Sequence, residues 1–394
     1  MKLNIKIEYN ILIFIVLISG NVFSQSKNLV LFKEKIHIGK VLNTYIYMDS
    51  FPKRSAAVFN EFYIGAQSAG NQSWHYWYNF PQIGVSVITG NLGNKKQLGY
   101  TIGLVPSLTF NTHLGKNLRL KALIGFGFSG FNAPFDSVTN KYNILIGSKI
   151  TNMSMAQLNF NYKLSEFVNL EYGFSFIHCS NGHYQVPNVG INVPMFSVGV
   201  LIKPDHQVLS LDTSGFKNYS KKLFYTIRFG TGIHEFAETT APVGTPKYFI
   251  YTTLLSASKR ITPKSVVQLG VSVKYYTDYY AYIKNNAFYA DNYHLKSVIG
   301  TLFIGHEFLF RKMGFVINGG FDFYKPFYKK YYALRNREHD FAWLSETFTS
   351  TRLGVHYYFK PVTYTVNKNA FVGIYINANS AKADFAELAF GWVF

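Results

Sequence analysis

The sequence contains a single cysteine, Cys179, among its 394 residues. One thiol excludes an intramolecular disulfide and a metal cluster built from thiolates. Charged residues are also scarce, at 15% of the chain. Acidic residues are fewer than basic ones, with 20 Asp and Glu and 39 Lys and Arg, so the net charge is +19. Beyond the N-terminus, the sequence lacks any apolar run that approaches the roughly 18 residues of a membrane helix.

The N-terminus itself predicts a secretory signal peptide over residues 1–24. Lys2 and Lys6 precede an apolar stretch, Ile11–Ile18, and Ser24 supplies a small residue at a plausible cleavage site. This order of basic, apolar and small residues is typical of an exported protein. The alternative is an anchor helix, for which the apolar stretch is too short.

Aromatic residues are abundant where charge is scarce. They make up 18% of the chain, with 30 Tyr and 37 Phe, and apolar residues alternate with polar or small ones rather than running continuously. The stretch Leu118–Ser129 is an example, since its apolar face opposes Arg119 and Lys121, which are expected to point into a polar lumen. Side chains of a strand alternate between two faces, and this pattern is typical of a transmembrane β-barrel.

Each half of the chain gives about eight such strands, so the predicted fold is all-β, an antiparallel transmembrane barrel of the outer membrane. The aromatic residues Phe390, Trp392 and Phe394 form a terminal signature that is typical of these barrels and occurs once. It favours one barrel of about 16 strands, and the alternative is two tandem eight-stranded barrels. The expected divisions are a first half over 25–203, a periplasmic linker over 204–220 and a second half over 221–394.

The basic excess predicts a polyanionic partner, of which the phosphates of lipopolysaccharide are the most plausible in an exported aromatic chain. General solvation of loops is the alternative. No segment resembles a nucleic-acid-binding module, so nucleic acid is not an expected partner.

Polar residues end the apolar face of one hairpin, Phe167–Ile202. On its first strand the apolar face closes with His178 and Ser180, and on the returning strand Asn192 lies at the same end. Alternating loop lengths place this end outside the cell, near the outer leaflet. The apolar positions of the same face are expected to lie along the hydrocarbon of a membrane lipid: Phe174, Phe176, Phe196 and Val198.

The types and spacing of these residues suit ester chemistry. Residues two apart on a strand are neighbours at roughly 6–7 Å, so His178 is expected to take the proton of the Ser180 hydroxyl, which then attacks an ester carbonyl. Asn192 is expected to orient the histidine, and Asn181 to help hold the oxyanion. The alternative is an ordinary Ser-Asn-Gly turn beside a boundary histidine. Polar side chains facing lipid are costly, however, which favours a function.

The residues His178-Cys179-Ser180-Asn181-Gly182 and Pro187-Asn188-Val189-Gly190-Ile191-Asn192 resemble the signature of the lipid A deacylase (PagL) family, the acyloxyacyl hydrolases. A weaker resemblance to long bacterial members covers most of the mature chain, including Asn91–Asn94, Asn140–Asn143 and Ala383–Phe385. The resemblance implies an outer-membrane barrel that removes an ester-linked acyl chain from lipid A, without a metal or another cofactor.

The same resemblance implies individual roles. Ser180 is the nucleophile and His178 the base, while Asn181, Gly182 and Asn188 support the loop and the oxyanion. Family members with a full triad carry an acidic residue where this chain has Asn192, which implies a dyad oriented by an amide, or a weaker enzyme. The second half is absent from the short members, whose barrel closes with eight strands.

Two other functions remain open from the sequence. One is a non-catalytic outer-membrane barrel, a porin or a surface-binding protein. The other is a phospholipase or acyltransferase that uses the same serine and histidine.

Overall fold

The computed structural model describes residues 30–43, 53–68, 70, 72–203, 219–334, 341–362, 365–380 and 382–394. Their strands form two closed antiparallel barrels of eight strands each. The prediction of one barrel of about 16 strands is therefore wrong, and the alternative of two tandem barrels is confirmed. The predicted signal peptide and most of the predicted linker lie outside the described residues.

The first barrel is a meander in which each strand pairs with the next. Its strands are β1 Val30–Gly39, β2 Ala57–Gln67, β3 Gln82–Asn91, β4 Tyr100–His113, β5 Leu118–Phe131, β6 Ile150–Lys163, β7 Val168–Ser180 and β8 Ile191–Ile202. β8 closes the sheet by pairing with β1, so that Phe32 lies opposite Ile202. This pairing occupies the edge of β8 that a single larger barrel would have offered to the next strand.

The second barrel has the same plan. Its strands are β9 Leu223–Glu235, β10 Lys247–Thr262, β11 Ser265–Tyr276, β12 Val298–Phe310, β13 Met313–Tyr324, β14 Thr349–Tyr358, β15 Asn369–Asn379 and β16 Lys382–Val393. β16 pairs with β9 to close the barrel, with Ala386 opposite Ile233. The terminal aromatic signature thus belongs to the second barrel alone, and the first barrel closes without one.

Alternation along each strand separates an apolar outside from an inside that contains the buried polar and charged residues together with apolar ones. In β7 the outward Phe174 and Phe176 are exposed, whereas the inward Glu171 and Ser175 are buried. An exposed apolar outer wall around a polar interior is the arrangement of a barrel that faces lipid. Among the described residues, no helix is both long and apolar enough to cross a membrane.

The lumen of the first barrel is filled by paired charges along part of its length and by buried apolar residues, such as Met153, Ile177 and Val193, along another part. Glu61 accepts from Gln157 at 2.8 Å and lies 3.3 Å from Lys33 and 3.1 Å from His37. Lys121 pairs with Glu171 inside the barrel, as the alternation of β5 predicts. An eight-stranded barrel has an interior just wide enough for side chains to fill, and these groups fill it.

The second lumen is filled in the same way and has an aromatic cluster at one end. Glu387 lies 3.1 Å from Arg228 and 3.6 Å from Arg352. At the end, the rings of Tyr279 and Phe327 stack with centroids 4.1 Å apart. These rings lie on short helices within the connections that the alternation leaves as loops.

Five short helices are present in the described residues: α1 Ser73–Trp77, α2 Thr277–Asn285, α3 Tyr293–Lys296, α4 Pro326–Ala333 and α5 Phe341–Phe348. The first lies between β2 and β3, and the other four lie in the connections of the second barrel.

Candidate active site

The register of the β7–β8 hairpin places His178 directly opposite Asn192. Both side chains point to the outer side of the first barrel, and both are partly exposed. Side chains of directly paired residues in an antiparallel sheet are about 5 Å apart at Cβ, which brings the imidazole and the amide within reach of each other.

The two groups are joined by a hydrogen bond. His178 Nδ1 lies 2.7 Å from Asn192 Oδ1. Because an amide oxygen only accepts, the histidine carries its hydrogen on Nδ1 in this bond. The neutral ring therefore leaves Nε2 as its basic nitrogen, which is the form that a general base requires.

Ser180 lies two residues beyond His178, at the end of β7, and its position on the strand gives it the same face. It pairs with Asn152 of β6, whereas the pairing of β7 with β8 ends one residue earlier, at Cys179. The serine is only 6% exposed. This differs from the open, lipid-facing position that alternation predicts, because Ser180 lies where the strand enters a loop.

The four predicted acyl-chain contacts all lie on the exposed outer wall. Phe174 is paired with Phe196, and their rings meet edge to face with centroids 6.0 Å apart. Tyr172 is paired with Val198, and Phe176 with Pro194, one step nearer to His178. The hairpin thus carries an apolar track that leads along the barrel wall to the imidazole.

The loop that follows Ser180 is braced by its own asparagines. The backbone N–H of Asn181 donates to Asn188 Oδ1 at 3.1 Å, and the Asn181 side-chain amide donates to the Gln185 carbonyl at 2.7 Å. These two bonds lie within the loop, which supports a bracing role for Asn181. Gly182 adopts a positive φ of 63°, a conformation that glycine accommodates without strain.

Cys179 points the other way, into the core of the first barrel. Its thiol accepts a hydrogen bond from Ser129 Oγ at 3.7 Å. It lies on the face opposite His178, as its position between His178 and Ser180 predicts.

Residues 61–200 match the family model of the lipid A 3-O-deacylases (PagL). The PagL assignment predicted from the hairpin is confirmed for this part of the chain. The match includes β7, the loop that follows it and most of β8, and it ends within the first barrel. No curated protein matches the chain.

Several solved structures are similar to this chain at low identity. Neisserial surface protein A (NspA) is 10% identical, covers 45% of this chain and 97% of its own, and gives a TM-score of 0.31. The COG4313 outer membrane channel from Pseudomonas putida F1 is 10% identical, covers 94% of this chain and 97% of its own, and gives a TM-score of 0.17. The Pseudomonas putida toluene transporter TodX is 8% identical, covers 93% of this chain and 89% of its own, and gives a TM-score of 0.15.

Within the PagL match, a second loop supports the hairpin, and sequence reasoning gave its residues no role. The N–H groups of Val189 and Gly190 donate to the carbonyls of Ile144 and Leu145. Asn140 shapes that loop, since its side-chain amide donates to three carbonyl oxygens, those of Gln97, Ala133 and Pro134. The only signal in the sequence was the resemblance that includes Asn140–Asn143.

Gly190 is a further position that sequence reasoning left without a role. Its φ is 84°, and a Cβ atom there would lie 3.3 Å from Cε1 of His178. A side chain at Gly190 would therefore press on the imidazole, so glycine leaves room for the ring.

Proposed function

We propose that this chain is an outer-membrane lipid A deacylase that hydrolyses an ester-linked acyl chain of lipopolysaccharide, with Ser180 as nucleophile and His178 as base. The observation that carries this proposal is the 2.7 Å hydrogen bond between His178 and Asn192, within the stretch that matches the PagL family. That bond holds the imidazole in the tautomer that accepts a proton from a hydroxyl.

In the proposed reaction, His178 Nε2 takes the proton of Ser180 as the serine Oγ attacks the ester carbonyl carbon. The tetrahedral intermediate collapses, the bond from the carbonyl carbon to the ester oxygen of lipid A breaks, and His178 returns its proton to that oxygen. A water molecule then attacks the carbonyl carbon of the acyl-enzyme while His178 takes a proton from that water. The bond from this carbon to Ser180 Oγ breaks, and His178 gives the proton to Oγ. The products are a free fatty acid and lipid A with one acyl chain fewer.

The substrate is proposed to reach the site from the membrane. The exposed rings of Phe174, Phe176 and Phe196, with Val198, offer an apolar wall along which an acyl chain can lie. The net charge of +19 favours association with the phosphates of lipopolysaccharide. Alternating loop lengths, with short turns after β4 and β6, support an outward-facing position for His178 and Ser180.

The filled lumens do not favour a pore. Buried ion pairs around Glu61 occupy the first barrel, and those around Glu387 occupy the second. The wide aqueous channels of porins are formed by 16 to 18 strands rather than eight. These observations support a function on the outer wall of the first barrel rather than in its interior.

The test is the mass spectrum of lipid A from cells that produce the protein or its variants. We expect lipid A from the wild type to lack one ester-linked chain and lipid A from Ser180→Ala to be fully acylated. Ser175→Ala is the matched control, because it lies on the same strand and faces the lumen, where it contacts His37 at 2.8 Å. It should deacylate like the wild type.

Deacylation that persists in Ser180→Ala would overturn the proposed nucleophile. Unchanged lipid A together with cleaved phospholipid in the wild type would overturn the substrate class. The same spectra identify which acyl position is cleaved.

A further inference from the structure

The outer wall of the first barrel carries an open groove that lies apart from the β7–β8 hairpin. The groove has a volume of about 830 Å³ and is lined by residues of β2, β3, β4 and β5, with Lys95 and Lys149 from the connections that follow β3 and β5. Its lining residues all belong to the first compact unit, and none of them lies on β7 or β8. This β2–β5 groove is therefore separate from the candidate active site.

One row of paired residues forms the floor of the β2–β5 groove. Asn60 lies opposite Thr89, Thr89 opposite Ile102, and Ile102 opposite Gly130. The side chains of Asn60, Thr89 and Ile102 face outward and are exposed. A Cβ atom at Gly130 would come no closer than 3.9 Å to its neighbours, so the missing side chain leaves the wall indented there. Polar side chains on a wall that faces lipid are costly without a polar partner, which indicates that this row meets a headgroup.

An apolar row lies next to the floor, two residues further from the outer ends of the strands. Phe62 lies opposite Val87, Val87 opposite Leu104, and Leu104 opposite Phe128. The side chains of Phe62, Val87 and Leu104 are each at least 40% exposed. The wall therefore changes from polar at the strand ends to apolar toward its middle, as a lipid changes from headgroup to acyl chain.

Two cations lie at the outer edge of the β2–β5 groove. The side chains of Lys95 and Lys149 are exposed, and both residues line the groove. In the part of the chain that the structure describes, neither ammonium group makes an ion pair with a carboxylate. Hydrogen bonds from an ammonium to a phosphate are among the stronger ones in proteins. Positive charge above an apolar wall thus complements a lipid that carries phosphate.

We propose that the β2–β5 groove is a second binding site for lipopolysaccharide, in which Lys95 and Lys149 contact a phosphate and the acyl chain lies along the apolar row. Asn60 and Thr89 then contact sugar hydroxyls, which a phospholipid with a simple headgroup does not offer. The described lining contains neither a histidine nor a carboxylate to act as a base, so the site binds the lipid without cleaving it. This inference goes beyond the proposed function and shares with it only the orientation of the barrel in the outer membrane.

The test uses lipopolysaccharide with a photoactivatable diazirine on an acyl chain, in zwitterionic detergent micelles. The full-length protein carries Ser180→Ala, so that the probe is not consumed. After illumination, we expect labelled peptides from β2 to β5 as well as from the hairpin. Adding Lys95→Ala and Lys149→Ala should lower the labelling of β2 to β5 about tenfold or more, because charge-assisted bonds to the phosphate are lost. Labelling of the hairpin should not change.

Lys96→Ala is the matched control, because Lys96 is the exposed neighbour of Lys95 and does not line the groove. It should be labelled like the parent protein. Unchanged labelling of β2 to β5 in the Lys95→Ala/Lys149→Ala protein, or an equal loss on the hairpin, would overturn a separate phosphate-binding site.

A second probe, phosphatidylglycerol with the same diazirine, identifies the occupant of the groove. We expect it to label β2 to β5 at most about one-tenth as strongly as lipopolysaccharide, since it lacks the phosphorylated sugar. Equal labelling would overturn lipopolysaccharide as the occupant in favour of a phospholipid.

The labelling also separates this inference from the proposed function. A labelled groove in a protein whose wild type leaves lipid A fully acylated would overturn the proposed function and support the second site. Deacylated lipid A without any labelled peptide from β2 to β5 would overturn the second site alone.

Discussion

At the scale of single residues, the neutral Asn192 is the feature that sets this site apart from a full triad. An amide oxygen fixes the tautomer of His178 through the 2.7 Å bond, but it does not stabilise the imidazolium as a carboxylate does. We therefore predict that Asn192→Ala lowers the deacylation rate by up to about 100-fold, because proton transfer loses its oriented base. Asn192→Asp should equal or exceed the wild-type rate.

The measurement for Asn192 is the initial rate of fatty acid release, with the mobility of unheated protein in detergent gels as the check on folding. A rate in Asn192→Ala equal to that of the wild type would show that the histidine needs no orienting partner. A loss in Asn192→Asp as deep as in Asn192→Ala would contradict the proposed role of the hydrogen bond.

At the scale of elements, the connection between β5 and β6 supports the hairpin through one side chain. The amide of Asn140 donates to three carbonyls, and the loop that it shapes accepts from the N–H of Gly190 at 3.0 Å. We predict that Asn140→Ala loosens this loop and lowers deacylation about tenfold, because each lost bond contributes roughly 1 kcal/mol. Limited proteolysis between residues 133 and 146, together with the deacylation rate, checks this.

Lys141→Ala is the control for Asn140, since its neighbouring side chain is exposed. It should match the wild type in both measurements. If Asn140→Ala becomes sensitive to protease but keeps full activity, the loop supports the fold and not the reaction.

Alternation predicted the strands well because each strand has one lumen face and one outer face. The stretch from Val168 reads as a strand to Ser180, where β7 ends. Alternation predicts none of the helices, because they lie in the connections between strands, where the pattern indicates only long loops. α2 and α4 exist through packing, as in the stacked rings of Tyr279 and Phe327, and such packing leaves little periodic signal in eight or nine residues.

The same distinction applies to the candidate site. The meeting of His178 and Asn192 was predictable, since both lie on one hairpin whose register follows from the alternation of its two strands. The contact of Gly190 with Leu145 was not, because the two residues lie on different connections and neither position carries a local pattern. Ser180 was assigned to the correct strand, but its burial depends on the chain beyond the strand end.

At the scale of the whole molecule, the number of barrels was the property that alternation did not determine. The pattern identifies the two faces of a strand, and it is the same for one large barrel and two small ones. The distinction lies in which edges pair, as in the closure of β8 on β1 and of β16 on β9. That pairing depends on backbone hydrogen bonds between strands distant in the chain, which leave no compositional mark.

Two closed sheets with separate buried charge networks predict two units of unfolding. Glu61 is fully buried in the first barrel, where its carboxylate contacts Lys33, His37 and Gln157. In the second barrel the carboxylate of Glu387 contacts Arg228 and Arg352. Removing one partner of a buried ion pair leaves an uncompensated charge and costs about 3–5 kcal/mol. We expect Glu61→Ala to destabilise the first barrel and Glu387→Ala the second.

Hydrogen exchange through a urea series resolves the two barrels by their own peptides. In Glu61→Ala the strands between residues 30 and 202 should open at a lower urea concentration than in the wild type, while those between 223 and 393 keep their midpoint. In Glu387→Ala the strands between 223 and 393 should open at a lower concentration, while those between 30 and 202 keep their midpoint. Glu34→Ala, at an exposed position of β1, should leave both midpoints in place. An equal shift of both barrels in either glutamate variant would mean that the chain unfolds as one cooperative unit, and the separate closure of the sheets would then not extend to their stability.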